Sequence, residues 1–361
     1  MQTPTATGGS SCEKVPCLIE FLYLGSFVHK VSVVIPTLNR ADLVAKTIDR
    51  IECQTVDRDL YDVLVVDNAS TDQTQQVLAQ KAATYPNLKI HFQAKRGAAP
   101  TRNVGIRKAA GDIVLFIDDD IFAEPDLIEV HLKHHSANSS ASIIGGVTTP
   151  WEDASDPFLR YLRDKRILNP YSIKCGPMDF SYYHTGNVST PRKMLLDAGG
   201  FNEEFSVYGM EDIELGYRLE KLGCQMVSGT DAKALHQYTP TYRQFIERCE
   251  QAGYSLGKML ELHPELRHQF VENGKRTRLL KRIHSLYRMF SFLSDPFYRA
   301  LVRWESQIGT SPVTAILDQH YYWAIRYHFF LGYRQYTQHS GNRQAAEADF
   351  RLGRQRVPDL P

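Results

Sequence analysis

The sequence predicts an α/β protein in which a mostly parallel sheet is flanked by helices. Short apolar runs rich in branched residues alternate with segments of helical period between positions 31 and 146. Polar and acidic residues directly follow several of these runs. Because the carboxyl ends of parallel strands meet at one edge of a doubly wound sheet, ligands bind beyond that edge. The pattern therefore predicts a ligand site built from the loops that follow the strands.

The elements alternate in order along the first half of the chain. The first strand is predicted at 31–35, and after the loop 36–40 a helix places Leu43, Thr47, Ile48 and Ile51 on one face. Ser70, Thr71 or Asp72 is expected to cap the second helix. The remaining predictions are a strand at 63–66, a helix at 73–84, a strand at 88–92, a helix at about 100–110, a strand at 113–117 and a strand from 143.

Three consecutive carboxylates, Asp118, Asp119 and Asp120, follow the apolar run 113–117. Adjacent carboxylates at the end of a buried strand repel one another unless a cation is bound, and hard divalent ions take oxygen ligands of this kind. The acids therefore predict a site for a metal and a diphosphate. An acidic turn after a strand is the alternative.

Five motifs occur in order along the chain: Val-Ile-Pro-Thr-Leu-Asn-Arg at 34–40, Val-Val-Asp-Asn-Ala-Ser-Thr-Asp at 65–72, Arg-Asn-Val-Gly at 102–105, Phe-Ile-Asp-Asp-Asp at 116–120 and Gly-Met-Glu-Asp-Ile-Glu-Leu at 209–215. Over roughly residues 31–240 this set resembles the family 2 glycosyltransferases. The resemblance implies the GT-A fold and the transfer of a hexosyl or N-acetylhexosaminyl group from a nucleotide-sugar to an acceptor hydroxyl. It also implies inversion at the sugar, a divalent metal (Mn²⁺ or Mg²⁺), and a role in glycan, polysaccharide or glycolipid biosynthesis.

The resemblance also assigns roles to the acids. It implies that Asp118 faces the donor ribose and reaches the metal through water, while Asp120 binds the metal directly. Asp119, which points the other way if the strand continues, is expected to support the donor site. Asp212 is implied as the general base, with Glu211 beside it in the catalytic pair. His236 is a candidate third metal ligand, and a structural histidine is the alternative.

Donor recognition is expected from the loops after the early strands. Asp67 could accept hydrogen bonds from a uracil imide, which favours a UDP-sugar over the GDP- and dTDP-sugars. Arg96 and Arg102 are expected to neutralise phosphate. The alternatives are local turns for the Asx residues and solvation for the arginines. The predicted donor-binding set is Pro36, Thr37, Asn39, Arg40, Asp67, Asn68, Arg96, Arg102, Asp118 and Asp119.

Glu211 and Asp212 are expected to begin a helix in which Leu215, Leu219 and Leu222 share one face, and Gly223 is expected to end it. A helix N-terminus stabilises carboxylate charge, which opposes the basicity of Asp212. The preceding segment, 165–184, is rich in Pro, Gly and Tyr and is predicted to form a loop that closes over the donor.

Length and composition predict an N-terminal extension (1–30), a catalytic domain (31–240) and a helical C-terminal region (241–361). The charge is balanced, with 42 basic and 41 acidic side chains, so no nucleic-acid signature is present. Six cysteines without a Cys-x-x-Cys pair predict a reduced cytoplasmic protein. No apolar run reaches the roughly 18 residues that span a bilayer, and the N-terminus lacks the pattern of a signal peptide.

The C-terminal region carries an aromatic segment at 321–333 with interleaved basic residues. Packing in a core or between domains is the favoured interpretation, and peripheral contact with the inner face of a membrane is the alternative. This region is expected to select the sugar, glycolipid or protein acceptor, and a homo-oligomer is a further alternative. Two other functions stay open: a nucleotidyltransferase, although the loop Pro-Thr-Leu-Asn-Arg lacks the expected glycines, and a non-catalytic carbohydrate-binding or scaffold protein.

Overall fold

The computed structural model describes residues 29–152, 154–168, 176–272, 303 and 312–339. The predicted extension 1–30 lies outside the described residues except for its last two positions. The strands are β1 (Val31–Thr37), β2 (Tyr61–Asp67), β3 (Leu88–Phe92), β4 (Ile113–Ile117), β5 (Ile121–Ala123), β6 (Ala141–Thr148), β7 (Pro177–Met178), β8 (Asn187–Pro191) and β9 (Gln225–His236). The α-helices are α1 (Ala41–Glu52), α2 (Thr74–Thr84), α3 (Ala98–Lys108), α4 (Leu127–Ala137), α5 (Pro157–Asp164), α6 (Arg192–Asp197), α7 (Glu211–Lys221), α8 (Tyr242–Leu262) and α9 (Pro312–His339).

The strands form one sheet in the order β3-β2-β1-β4-β8-β6-β9-β5, with β7 paired to β9. The first half is parallel, as predicted, because β1 pairs with β2 and β4, and β2 pairs with β3. The second half is mixed, since β8 runs antiparallel to both β4 and β6. The parallel half therefore brings the ends of β1, β2 and β4 to a common edge.

The sheet is the centre of the first hydrophobic core. Strand β4 is buried along its whole length, and Val33 on β1 lies opposite its Leu115. Helix α1 packs against the sheet through Val44, Thr47, Ile48 and Ile51. Val44 thus takes the place predicted for Leu43, which is only half-buried.

Two further details of the predicted helices can be compared with the structure. The N-cap position of α2 is Gln73, and the preceding Asp72 accepts a hydrogen bond through Oδ1 from the Thr74 backbone N–H at 3.0 Å. The prediction that Leu222 shares the buried face of α7 is wrong, because the helix ends at Lys221 and Leu222 is 50% exposed. Gly223 follows with a φ of 85°, the left-handed conformation that glycine supplies at helix ends.

A second hydrophobic core joins α5, α7, α8 and α9. Helix α7 contributes to both cores, with Leu215 and Leu219 in the first and Ile213 and Tyr217 in the second. Helices α8 and α9 approach closely at glycines. A Cβ on Gly253 would lie 1.7 Å from the Phe329 carbonyl oxygen.

The aromatic segment of α9 belongs to this second core, which agrees with the favoured interpretation of packing. Its buried members are Tyr321, Ile325, Phe329, Phe330 and Tyr333. Among the described residues, no helix combines the length and the apolar character needed to span a bilayer.

The predicted loop 165–184 lies partly outside the described residues, at 169–175. Its described end contains β7 and a short helical turn at Phe180–Tyr182, and the side chain of Tyr183 is fully buried. This end is therefore anchored in the fold, and closure over a donor stays a prediction for the rest.

Candidate active site

A cavity of about 650 Å³ opens at the carboxyl ends of β1 and β4. Its walls come from the loops after these strands, the first turn of α7, the end of β9 and one face of α8. Both acidic motifs line it. The acids concerned are Asp118, Asp119, Asp120, Glu211 and Asp212.

The carboxylates of Asp119 and Asp120 share one guanidinium. Nη1 of Arg40 donates to Oδ1 of Asp119 at 3.1 Å and also donates to Oδ2 of Asp120. The hydroxyl of Thr37 donates to the other oxygen of Asp119 at 2.8 Å. The remaining oxygen of Asp120 lies 3.4 Å from Nε2 of His236. Asp119 is therefore held by protein groups on both oxygens, whereas Asp120 meets an imidazole that also lines the cavity.

These surroundings shift the two pKa values in opposite directions. Burial raises the pKa of Asp119 to about 7, because the Arg40 charge and the Thr37 hydrogen bond only partly offset the loss of solvent. Burial acts on Asp120 as well, but the contacts with His236 and Arg40 outweigh it and lower the pKa to about 2. Asp120 is thus fully ionised at neutral pH, the state that a divalent cation requires.

Arg102 on α3 connects the two acidic motifs. Its Nη2 donates to Oδ1 of Asp118 at 2.7 Å, and its Nη1 donates to Oε1 of Glu211 at 3.3 Å. The Arg102 side chain is only 7% exposed. Burial alone would lower the pKa of this guanidinium, but the two carboxylates reverse that effect and raise it. Arg102 therefore stays charged and fixes the end of β4 against the start of α7.

The first turn of α7 is positioned by an unusual backbone. Gly209 and Met210 both have positive φ, 94° and 69°, and α7 begins at the next residue. A left-handed methionine is uncommon and stores strain of a kind that clusters at functional sites. A Cβ on Gly209 would lie 3.0 Å from the Cβ of Ala252, so α8 passes directly beside this turn.

The two acids of this turn have different partners. Burial and the neighbouring Asp212 charge raise the pKa of Glu211, and Arg102 opposes the shift. Burial would also raise the pKa of Asp212, but the hydrogen bond and charge of His184, together with Arg102, lower it. Nδ1 of His184 lies 3.4 Å from Oδ2 of Asp212. Glu211 is thus tied to an arginine and Asp212 to an imidazole.

Two side chains of the cavity, Asp120 and His236, are suitable ligands for a divalent metal ion. Among the described residues, no group of three or more His, Cys, Asp or Glu side chains could hold a metal ion. Asp120 and His236 are adjacent, however, and magnesium-like ions are commonly held by one or two protein ligands plus substrate phosphates and water. Asp118 is turned toward Arg102 instead. The residues therefore fit a cation that enters with the diphosphate.

The predicted donor-binding residues divide into two groups. Pro36, Thr37, Arg40, Asn68 and Arg102 line the cavity together with Asp118 and Asp119. Asn39, Asp67 and Arg96 are not among the lining residues, and their side chains bond to other protein groups. For these three a role in donor binding stays a prediction.

Each residue of that second group makes hydrogen bonds within the protein. Asn39 Oδ1 accepts from the Thr71 N–H at 2.7 Å, and Arg96 Nη2 donates to the Ala69 carbonyl at 3.1 Å. Asp67 is buried and accepts from the Ser70 N–H at 3.1 Å and from Gln75 at 3.0 Å. The Asp67–Ser70 bond is the turn contact that an Asx residue makes after a strand. Asn39 and Arg96 instead bond to the loop after β2, 32 and 27 positions away in sequence.

The cavity also contains residues that sequence reasoning did not assign to the site: His184, Tyr208, Tyr238 and Arg248. His184 is the last residue of the segment 165–184 that is predicted to close over the donor, and Tyr238 lies two positions after His236, so adjacency in sequence was the available signal. Arg248 is on α8, far from any motif, and carries no such signal.

Two family models of glycosyltransferases match this chain. The family model described as glycosyl transferase family 2 matches residues 32–195, and the model described as the N-terminal domain of galactosyltransferase matches residues 173–244. The first match contains the aspartates after β4, and the second contains Glu211 and Asp212.

Curated relatives point the same way. The validoxylamine A glucosyltransferase of Streptomyces hygroscopicus subsp. jinggangensis is 30% identical over 267 residues, which are 67% of this chain and 63% of that protein. The chondroitin synthase of Escherichia coli is 27% identical over 248 residues, 59% of this chain and 35% of that protein. The chain thus spans about three fifths of the length of the first relative.

Solved structures share the fold. The mannosyltransferase PcManGT from Pyrobaculum calidifontis, in complex with GDP-Man and Mn²⁺, superimposes with a TM-score of 0.52 at 20% identity, covering 89% of this chain and 88% of that one. The chain therefore belongs to glycosyl transferase family 2 and has the GT-A fold, which confirms the family and fold predicted from the five motifs.

Proposed function

We propose that this protein transfers a sugar from a nucleotide-sugar to an acceptor hydroxyl, with inversion and with a divalent metal, in the synthesis of a glycan, polysaccharide or glycolipid. The observation that carries the proposal is the meeting of the two acidic motifs in one cavity, where Arg102 joins Asp118 to Glu211. The names of the relatives support it, since they include a glucosyltransferase and a chondroitin synthase.

The donor half of the site consists of Asp118, Asp119, Asp120, Arg40 and His236. Asp120 and His236 would hold Mn²⁺ or Mg²⁺ beside the diphosphate, where a bound cation would supply neutralisation of the negative charge on the leaving group. Asp119 and Arg40 fix the orientation of Asp120 through their shared hydrogen bonds. A neighbour that binds GDP-Man and Mn²⁺ on the same fold supports this assignment.

The acceptor half is centred on Asp212. Its carboxylate takes the proton of the acceptor hydroxyl as that oxygen attacks the anomeric carbon from the face opposite the diphosphate. A bond forms between the acceptor oxygen and the anomeric carbon, the bond from that carbon to the diphosphate oxygen breaks, and the configuration of the anomeric carbon is inverted. His184 holds the Asp212 carboxylate in position through Oδ2. Glu211 is the less suitable base because its Oε1 is already bonded to Arg102.

We favour a UDP-sugar, with GDP- and dTDP-sugars as alternatives. One structural neighbour binds GDP-Man, and a second, the Staphylococcus aureus TarS fragment 1–349, was solved in complex with UDP. The acceptor is a sugar, glycolipid or protein hydroxyl.

A panel of nucleotide-sugars tests the reaction and the donor together. Each is incubated with the protein and Mn²⁺ or Mg²⁺, with an EDTA-treated sample as control, and the released nucleotide is identified. The proposal expects metal-dependent release of nucleoside diphosphate with one or a few donors. Release of pyrophosphate would indicate a nucleotidyltransferase. Donor binding without any release, in the presence of varied sugar acceptors, would indicate a non-catalytic binding protein.

The location of the protein and its assembly remain part of the proposal. We propose a cytoplasmic protein, and peripheral contact with the inner face of a membrane, where a glycolipid acceptor would be found, is the alternative. Sedimentation with anionic liposomes tests the contact, because basic side chains bind anionic lipid in a salt-dependent manner. Analytical ultracentrifugation tests whether the protein forms a homo-oligomer.

A further inference from the structure

Arg248 enters the cavity from α8, on the wall formed by the C-terminal region. Its guanidinium lies between two aromatic rings, with Cζ 4.1 Å from the Tyr208 ring centroid and 4.6 Å from the Tyr238 ring centroid. Tyr208 comes from the loop before α7, and Tyr238 comes from the segment after β9. Three separate parts of the chain therefore hold this cation in one orientation.

The charge of Arg248 lacks a carboxylate partner in direct contact. Within the described ranges no carboxylate forms an ion pair with it, and the charge of Asp120 acts on it from a distance. A largely buried guanidinium without a counter-ion is costly in a protein interior. Contacts with aromatic faces offset only part of that cost. An anion in the cavity would supply the missing partner.

Stacked aromatic rings connect Arg248 to His236 and Asp120, the proposed metal ligands. Tyr238, against which Arg248 lies, also stacks on His236, with ring centroids 5.2 Å apart and planes 18° from parallel. His236 in turn lies 3.4 Å from Asp120. The guanidinium is therefore connected through two rings to the carboxylate beside which the donor diphosphate is expected.

We propose that Arg248 binds the diphosphate of the donor and of the leaving nucleoside diphosphate, as a second cation beside the metal. This inference rests on the proposed function. The planar fork of a guanidinium matches phosphate oxygens in a bidentate geometry, and the two rings keep that fork from turning toward solvent. A phosphate is favoured over an anionic group of the acceptor because Arg248 is linked to His236 and Asp120, whereas the acceptor hydroxyl must approach Asp212.

The test compares ligands that differ only in phosphate. Arg248→Met keeps the length of the side chain and removes the charge, while Arg248→Lys keeps the charge and removes the fork. The matched control is Arg243→Met, since Arg243 lies on the outer face of α8, with its side chain 81% exposed, and pairs with Glu247. Calorimetry in Mn²⁺ gives the affinity of each variant for a nucleoside diphosphate and for the corresponding nucleoside.

Arg248→Met should weaken nucleoside diphosphate binding roughly ten- to a hundredfold, the scale of a hydrogen bond to a charged group, and leave nucleoside binding unchanged. The affinity of Arg248→Lys for nucleoside diphosphate should lie between those of Arg248→Met and the parent, and the affinity of Arg243→Met should equal that of the parent. Equal affinity of Arg248→Met and the parent for the diphosphate would overturn the inference, and a raised KM for the acceptor would then assign Arg248 to an acidic acceptor.

The same measurements give a different result if the proposed function itself is wrong. A parent protein that binds diphosphate no better than nucleoside has no diphosphate site, so the function and the role of Arg248 would both be rejected. If Arg248→Met is unstable, Tyr208→Leu is the second variant. It removes one of the two rings while the guanidinium remains, and it should lower diphosphate affinity by a smaller factor and again spare the nucleoside.

Discussion

His184 Nδ1 lies 3.4 Å from Asp212 Oδ2, across the cavity edge between the segment before β8 and the first turn of α7. The contact lowers the pKa of Asp212 against the effect of burial. The two residues are far apart in sequence and are joined only by the fold. The basicity of the proposed base is therefore set by an imidazole that belongs to none of the five motifs.

Asp212→Asn is the direct test of the base. The amide keeps the size of the side chain but cannot accept a proton, so turnover should fall by roughly a hundredfold or more while nucleoside diphosphate affinity stays within a factor of two. Steady-state kinetics and calorimetry measure the two quantities. Glu211→Gln is the companion variant. If it loses turnover to that extent and Asp212→Asn does not, Glu211 is the base.

His184→Asn should change the pH dependence of the reaction. Because His184 lowers the pKa of Asp212, its removal should raise that pKa, and the acidic limb of kcat/KM should move to higher pH. Activity should therefore be lost mainly at low pH and largely recovered at alkaline pH. A uniform loss at every pH, with an unmoved acidic limb, would show that His184 acts on something other than the ionisation of Asp212.

Asp120→Ala should abolish the metal-dependent part of donor binding. The variant leaves His236 as the one remaining member of the proposed ligand pair, and the diphosphate loses the cation that neutralises it. Calorimetric titration of nucleoside diphosphate with Mn²⁺ and with EDTA measures the difference. Asp126→Ala, an exposed acid at the start of α4, is the control and should keep the full metal effect. An equal metal effect in Asp120→Ala would place the cation elsewhere.

Arg102→Met should destabilise the protein as well as inactivate it. It leaves the buried Glu211 and the neighbouring Asp118 without their shared cation, and breaking such a pair costs roughly 3–5 kcal/mol. Chemical denaturation measures the loss. Adding Glu211→Gln should recover part of the stability, because one uncompensated charge is removed. If the double variant is no more stable than Arg102→Met, the two side chains are not energetically coupled.

Acid should weaken the fold through two histidines of α4. His131 is fully buried between Asn187 and Ser189, and burial lowers its pKa to about 4 and that of His135 to about 3. Their unfolded values are near 6.5, so the unfolded state binds more protons between about pH 6.5 and 4. Stability should therefore be complete above pH 6.5 and fall as the pH is lowered through that window.

A matched pair of variants isolates this effect. His131→Gln should reduce the slope of unfolding free energy against pH by up to about 1.4 kcal/mol per pH unit, measured by denaturant titrations at pH 7 and pH 5. His134→Gln is the control on the same helix, because His134 is partly exposed and pairs with Asp231. A slope in His131→Gln equal to that of the parent would contradict the assignment.

Much of the fold could be predicted because local patterns coincide with it. Strands β3 and β4 have the predicted bounds, since each is a short run whose ends are marked by polar residues or glycine. The mixed half of the sheet could not be predicted, because β8 reaches its antiparallel place between β4 and β6 through long-range pairing alone. Leu222 was misjudged because periodicity does not show where a helix ends.

The site divides in the same way. That the acids after β4 and at the start of α7 belong to one site could be expected, because three carboxylates follow a buried strand and the motif 209–215 resembles its counterpart in the family. Asn39 bonds to Thr71 of another loop and Asp67 to Ser70 of its own turn, and sequence does not distinguish such contacts from ligand binding. Arg248 could not be predicted because only tertiary packing brings α8 to the cavity.

Helix α7 packs in both hydrophobic cores, so sequence changes in either core can act on the residues at its start. The helix that carries Glu211 and Asp212 rests on the sheet through Leu215 and on the C-terminal helices through Ile213 and Tyr217. Substitutions in α9 that repack the second core would therefore shift Glu211 and Asp212 relative to the aspartates after β4 without altering any motif. Rate and acceptor preference can thus evolve by remote repacking, while the donor half of the chain remains unchanged.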